Sequence, residues 1–121
     1  RFPELFRILF QQGMEILAIP AAFTVPTGKA HWEVLLRARA IENFSYVIGA
    51  CQGGFHEGGK ETYGHSMIIS PWGEVLACLP KGEGFIISDI NKEKLRKIRE
   101  DMPTLSHCRI HLETHLPIII R

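Results

Sequence analysis

The sequence has no apolar run of membrane-spanning length. Its longest, Ile16–Phe23 and Leu116–Ile120, fall well short of the ~20 residues that a helical span requires. It has no surplus of charge either. With 14 basic and 13 acidic residues the formal net charge is +1, which leaves no electrostatic footprint for a nucleic-acid backbone or an anionic membrane. Cysteine is scarce: Cys51, Cys78 and Cys108 are an odd number without framework spacing. That excludes a secreted disulfide scaffold and points to a reducing, cytoplasmic setting. There is no basic-plus-apolar leader, internal repeat or low-complexity linker. What remains is ordinary globular composition, 45% hydrophobic and 22% charged, over 121 residues, enough for one small domain and too few for two.

The chain opens at Arg1 without a methionine and enters a helix at once, as a chain cut from a longer one would. Pro3 suits a first helical turn, and Glu4 suits the helix dipole. Phe2, Leu5, Phe6, Leu9 and Phe10 then recur at three- and four-residue steps, an apolar stripe that demands burial, with Gly13 as the stop. Glu15–Ile19 reads as a short buried strand closed by Pro20. Ala21–Ala30, with Pro26, Thr27 and Gly28, has no periodicity and reads as a loop after the strand's carboxyl end, a place where α/β folds concentrate ligand sites. A second helix runs from about Lys29 to Asn43, with Glu33 and Arg37 as an i,i+4 pair and enough apolar residues to be covered on much of its surface.

Ser45–Ala50 reads as a strand, and Gly53, Gly54, Gly58 and Gly59 mark an exposed loop carrying His56 and Lys60. Ser66–Ser70, Glu74–Leu79 and Phe85–Ile90 read as further strands, the first two joined by a Pro71-Trp72-Gly73 hairpin turn. Asn91 is the N-cap of a last helix that carries Lys94, Leu95, Ile98 and Met102 at helical steps and stops at Pro103. The alternation of helices and strands gives an α/β layer arrangement.

Self-contained chemistry is sparse. Gly82-x-Gly84 lacks the strand, glycine-rich turn and helix of a phosphate-binding fingerprint. His107, Cys108, His111 and His115 are metal ligands by type, and the histidines would share a face if the tail were helical. Pro117 favours an irregular tail with no metal. Cys51 followed by His56 invites a thiol–imidazole nucleophile, against which stands the commoner outcome of a small buried cysteine. His65, between Tyr63 and Ser66, reads as part of a hydrogen-bonded strand-end cluster.

Five segments in order carry a resemblance. They are Arg1-Phe2-Pro3-Glu4-Leu5, Pro20-Ala21-Ala22-Phe23-Thr24, the helix from His31 to Asn43, Tyr63-Gly64-His65-Ser66 and Pro71-Trp72-Gly73. Together they resemble the nitrilase superfamily, the carbon-nitrogen hydrolases, and within it the Nit-type amidases. The resemblance implies a four-layer α-β-β-α sandwich of which residues 1–103 form the C-terminal half, with 104–121 a divergent tail. It also implies cofactor-free amide hydrolysis by a Cys–Glu–Lys triad, through a thioester on the cysteine, and a homo-oligomeric complete enzyme.

In the family the nucleophile precedes an Arg-Phe-Pro-Glu segment, so by this match it would lie four positions before Arg1, with the Glu and Lys earlier still. None of the three is in the chain, and Cys51, Cys78 and Cys108 inherit no catalytic role. Glu33 and Glu42 read as ion-pairing or packing residues. The substrate-binding residues that carry over are Arg1, Phe23 and Thr24. Arg1 matches an arginine that can organise the site, pair with a substrate carboxylate, or only hold the elbow by a salt bridge. Phe23 and Thr24 match a loop bordering the substrate; Phe23 packed on the second helix is the competing reading. The expectation is therefore a fragment that acts on a small-molecule amide once an N-terminal half completes it. A degenerate, non-catalytic binding or assembly module is the alternative.

Overall fold

Pro3 at the start, Glu4 in the first turn and the three- to four-residue apolar spacing produce helix α1, Pro3–Gln11. Gly13 follows at φ +90°, a left-handed stop that glycine adopts without strain. The computed structural model describes residues 1–110. After α1 come β1 (Ile16–Ala21), α2 (Val25–Thr27), a π-helical turn (Gly28–Trp32) and α3 (Glu33–Asn43). Then follow β2 (Tyr46–Cys51), β3 (Gly53–Phe55), β4 (Glu61–Tyr63), β5 (Ser66–Ile69), β6 (Val75–Leu79), α4 (Lys92–Asp101) and α5 (Thr104–His107). No helix among the described residues is long and apolar enough to cross a membrane.

The four long strands form one sheet in the order β1-β2-β5-β6, with β1 and β2 parallel and the other pairs antiparallel; β3 and β4 form a separate hairpin. Strand alternation sorts the side chains into two faces. Leu17, Val47, Met67 and Ile69 pack with Trp32, Leu36 and Ala40 of the helical layer as the core. On the other face Ala18, Ile48, Ile68 and Ala77 stand in register straight across the sheet, and Ile48 keeps 38% of its surface exposed. This is a mixed α/β arrangement with helices against one sheet face, consistent with an incomplete α-β-β-α sandwich.

Ala18 and Ile48 lie exposed on this face while Ile68 is buried, and a partly uncovered apolar sheet face drives association. The chain by itself should therefore run as a dimer or larger species in size-exclusion chromatography, and Ile48→Lys should shift it toward monomer. Equal monomeric elution of both proteins would contradict this.

Arg99 ties α4 to the layer in front of it. Its guanidinium donates to the carbonyls of Phe44 (3.0 Å) and Met14 and to Ser45 Oγ (3.1 Å). Burial pulls it below its ordinary pKa, opposed by the carboxylate of Glu15. The Asn91 side chain caps α4 by accepting from the Lys94 amide at 2.7 Å, as the sequence predicts.

Five local expectations are corrected. Pro20 does not end β1, which runs on to Ala21; β1 is an edge strand, where a missing N–H costs no ladder bond. Most of Ala21–Ala30 is not loop. Thr24 is extended, Pro26 sits in the first turn, and the chain is helical from Val25 through the π turn into α3. The glycine-rich stretch is not wholly loop, since Gly53–Phe55 pairs antiparallel with Glu61–Tyr63. Phe85–Ile90 joins no ladder among the described residues, and Phe85 and Ile87 are 83% and 79% exposed. Alternation sets which side chains share a face; a strand also needs a partner edge. The α1 stripe is only partly covered: Phe10 is buried and Phe6 and Leu9 half-buried, while Phe2 and Leu5 face solvent.

Candidate functional site

The ends of the two parallel strands fix the position of a cleft of about 590 Å³, floored by Pro20, Ala21, Cys51, Gln52 and Ser66. Such carboxyl-end crevices are where open α/β sheets bind ligands. Its floor is tightly tied. Gln52 N donates to Ala21 O at 2.9 Å, and Gly64 N donates to Gln52 O at 3.0 Å. Ser66 Oγ accepts from Cys51 N (3.1 Å) and donates to Cys51 O (3.3 Å), so one hydroxyl satisfies both backbone groups where the β2–β5 ladder ends.

A second, apolar recess of about 210 Å³ shares Pro20 and Ala21 with the first and is walled by Arg1, Phe6, Phe23, Trp32 and Arg39. Arg39 is buried, lies over the Phe6 ring and pairs with Glu42 at 2.7 Å. Arg1 makes no ion pair with a carboxylate among the described residues. It donates to His31 Nδ1 at 3.0 Å and stands 5.8 Å from the centre of the Phe23 ring. Because arginine can only donate, His31 accepts there and its own ring hydrogen is on Nε2.

Phe23 does two things at once: it walls the recess and packs on Trp32, with ring centres 5.0 Å apart. Thr24 turns its hydroxyl to Thr27 (2.8 Å), and its backbone bridges Thr62 of the hairpin. Arg1 and Phe23 are thus brought together. Thr24 stands one residue on, engaged with the start of α2.

The other candidates separate. Cys51 is buried and donates its thiol hydrogen to Gln52 O at 3.7 Å, while His56 turns to the Thr62 hydroxyl at 2.7 Å. Cys78 lies exposed on β6, with its thiol pushed above the ordinary range by burial and by the charge of Glu33. Glu33 pairs with Arg37 at 3.4 Å, as the helical spacing predicts. Gly82 and Gly84 lie in an irregular stretch after β6, outside any strand–turn–helix unit. No cluster of three metal-ligating side chains forms among the described residues, and His111 and His115 lie outside them.

Gln52 of the cleft floor is not separable from its neighbours in the sequence, and Ser66 stands out only as the end of the Tyr63-Gly64-His65-Ser66 segment, with no role attached. Their role depends on which strand ends meet, and Ser66 is fifteen residues from the backbone that it binds.

The carbon-nitrogen hydrolase family pattern matches residues 1–100. A deaminated glutathione amidase of Synechocystis is 52% identical over 107 residues, 88% of this chain and 39% of that protein. The Homo sapiens deaminated glutathione amidase is 48% identical over 116 residues, 96% of this chain and 36% of its own length. Among solved structures, the C. elegans NitFhit protein superposes with a TM-score of 0.87 at 45% identity, over 90% of this chain and 26% of that one. Saccharomyces cerevisiae Nit3, a member of branch 10 of the nitrilase superfamily, gives a TM-score of 0.80 at 32% identity over 85% of this chain and 38% of its own. The chain thus spans well under half the length of these relatives. Similarity over nearly all of the chain, in both sequence and fold, carries one conclusion: the chain belongs to the carbon-nitrogen hydrolase family.

Proposed function

We propose that this chain is the C-terminal portion of an amidase, that it supplies the substrate-facing wall of the active site, and that the nucleophile, base and ammonium come from an N-terminal segment. The observation that carries this reading is the cleft at the ends of β1 and β2. It is framed by ordered backbone, yet Cys51, the cysteine at its floor, bonds to neither a carboxylate nor an ammonium among the described residues. A thiol without a base and an oxyanion donor does not run acyl transfer. Residues 1–103 are the portion assigned to the catalytic domain, and the three free thiols support a cytoplasmic setting. Homo-oligomerisation of the completed enzyme belongs to the same proposal.

The names of the relatives point to an amide of the deaminated glutathione type as substrate. Such a molecule carries carboxylates. Arg1, free of any carboxylate partner among the described residues and stacked near Phe23, is the group to receive one. Co-expression with a family N-terminal segment should therefore yield hydrolysis of deaminated glutathione. In that complex Arg1→Ala should raise KM about tenfold or more, the loss of one charge-assisted contact of ~1.5–3 kcal/mol. Lys97→Ala, which removes only a surface pair with Asp101 on α4, should leave kinetics unchanged. Equal KM values for the two variants would show that Arg1 does not face the substrate; a completed enzyme without amidase activity would favour a non-catalytic module.

A further inference from the structure

Two departures from regular backbone meet at one side chain. His65 is a non-glycine residue at φ +58°, directly after Gly64 at φ +70°. The helical run that faces it is interrupted by a π turn, Gly28–Trp32, between α2 and α3. Left-handed backbone at a residue bearing a Cβ is unfavourable, and π turns are rare, so both persist only where surrounding contacts hold them. Those contacts converge on His65.

Every hydrogen-bonding group of the His65 backbone is engaged. Its N–H donates to Pro80 O at 3.0 Å, and its carbonyl accepts the indole N–H of Trp32, from the π turn, at 2.8 Å. The imidazole lies flat on the Tyr63 ring, with centres 3.8 Å apart and planes within 6°. Its Nδ1 stands 2.9 Å from Tyr63 O. A carbonyl oxygen can only accept, so Nδ1 bears the hydrogen, and a neutral imidazole here has its lone pair on Nε2.

The residues on either side of His65 hold the cleft floor. Gly64 N binds Gln52 O, and the Ser66 hydroxyl binds both backbone groups of Cys51. We propose that His65 is a positioning residue for this amidase site, acting as an Nδ1-protonated imidazole that locks the Tyr63–Ser66 turn and, through it, the backbone of Cys51 and Gln52. The inference rests on the reading of the cleft as the active site.

The test compares three substitutions in the enzyme completed by its N-terminal segment. His65→Gly accepts the left-handed backbone but has no ring and no donor. His65→Asn also tolerates that backbone and can offer an amide N–H to the Tyr63 carbonyl. His65→Ala does neither and is read only if it folds. For His65→Gly, kcat should fall about tenfold or more with KM nearly unchanged, and His65→Asn should recover to within about threefold of wild type. A role limited to relieving or storing backbone strain predicts the reverse, with glycine at least as active as asparagine.

A second readout does not depend on turnover. In nitrogen NMR of the completed protein the wild-type His65 ring should show Nδ1 protonated and Nε2 bare at neutral to alkaline pH. The Cys51 and Gln52 amide signals should move in His65→Gly and return in His65→Asn. Protonation at Nε2 instead, or unmoved Cys51 and Gln52 signals in His65→Gly, would overturn the proposal. A completed wild type that shows the expected NMR pattern but no amidase activity would overturn the functional reading and leave the positioning of the cleft floor by His65 established.

Discussion

By itself the 121-residue chain should hydrolyse amides no faster than water does, and adding an N-terminal segment with the Glu, Lys and Cys motifs should raise the rate by at least about a millionfold, the lower end of enzymatic acceleration. The size of the step follows from what is split between the pieces. Binding and orientation lower a barrier only when a nucleophile is there to be oriented, and the recess around Arg1 and Phe23 offers none. The thiols that are present do not substitute. The Cys78 thiol is pushed above its ordinary range by partial burial and the neighbouring charge of Glu33, Cys108 points its hydrogen at Ile110 O, and Cys51 is buried against Gln52 O. Cys78→Ala and Cys108→Ala should therefore leave the completed enzyme's rate unchanged, whereas replacing the cysteine of the added segment should abolish it. Amide hydrolysis by the lone chain, lost on Cys51→Ala, would reverse this account.

The parts of the fold that were legible in the sequence are those decided within a few residues. The three- and four-residue steps from Phe2 to Phe10 gave a helix, Asn91 gave a cap, and Pro71-Trp72-Gly73 gave the turn between β5 and β6. Errors fell where neighbours at a distance decide. Phe85–Ile90 alternates like a strand and lacks a partner edge, and Pro20 is tolerated because β1 lies at the sheet margin, which no local pattern reveals. Pro26-Thr27-Gly28 has the composition of a loop but continues into a helix, because Gly28 there serves a close approach rather than a turn. The site divides in the same way. The motif segments pointed to Arg1, Phe23 and Thr24, while the floor made by Gln52 and Ser66 and the Trp32–His65 bond arise from meetings across fifteen to thirty-three residues of chain.

Gly28→Ala should destabilise the protein by about 3 kcal/mol, against the direction of helix propensity. Gly28 has ordinary right-handed helical dihedrals, φ −60° and ψ −51°, so alanine meets no backbone strain and by propensity alone would stabilise the helix by about 1 kcal/mol. The opposing effect is steric and larger. A Cβ at this position would stand 2.2 Å from Cγ and 2.3 Å from Cβ of Tyr63, more than an ångström inside normal contact. Tyr63 is not a flexible tip that can swing aside, because the clash is at the root of its ring. Its amide is bonded to Phe23 O, and its ring is stacked on His65. Relief must come from moving the hairpin or the π turn, which breaks the Trp32–His65 bond and opens the cleft floor. Urea unfolding of wild type and Gly28→Ala, in the presence of the N-terminal segment, measures the loss. The double variant Gly28→Ala/Tyr63→Ala identifies its cause: with the ring removed, the alanine at 28 should cost little or even stabilise, so the two substitutions should couple by well over about 1 kcal/mol. Additive effects would mean that the close approach of Tyr63 is not what requires glycine at this position.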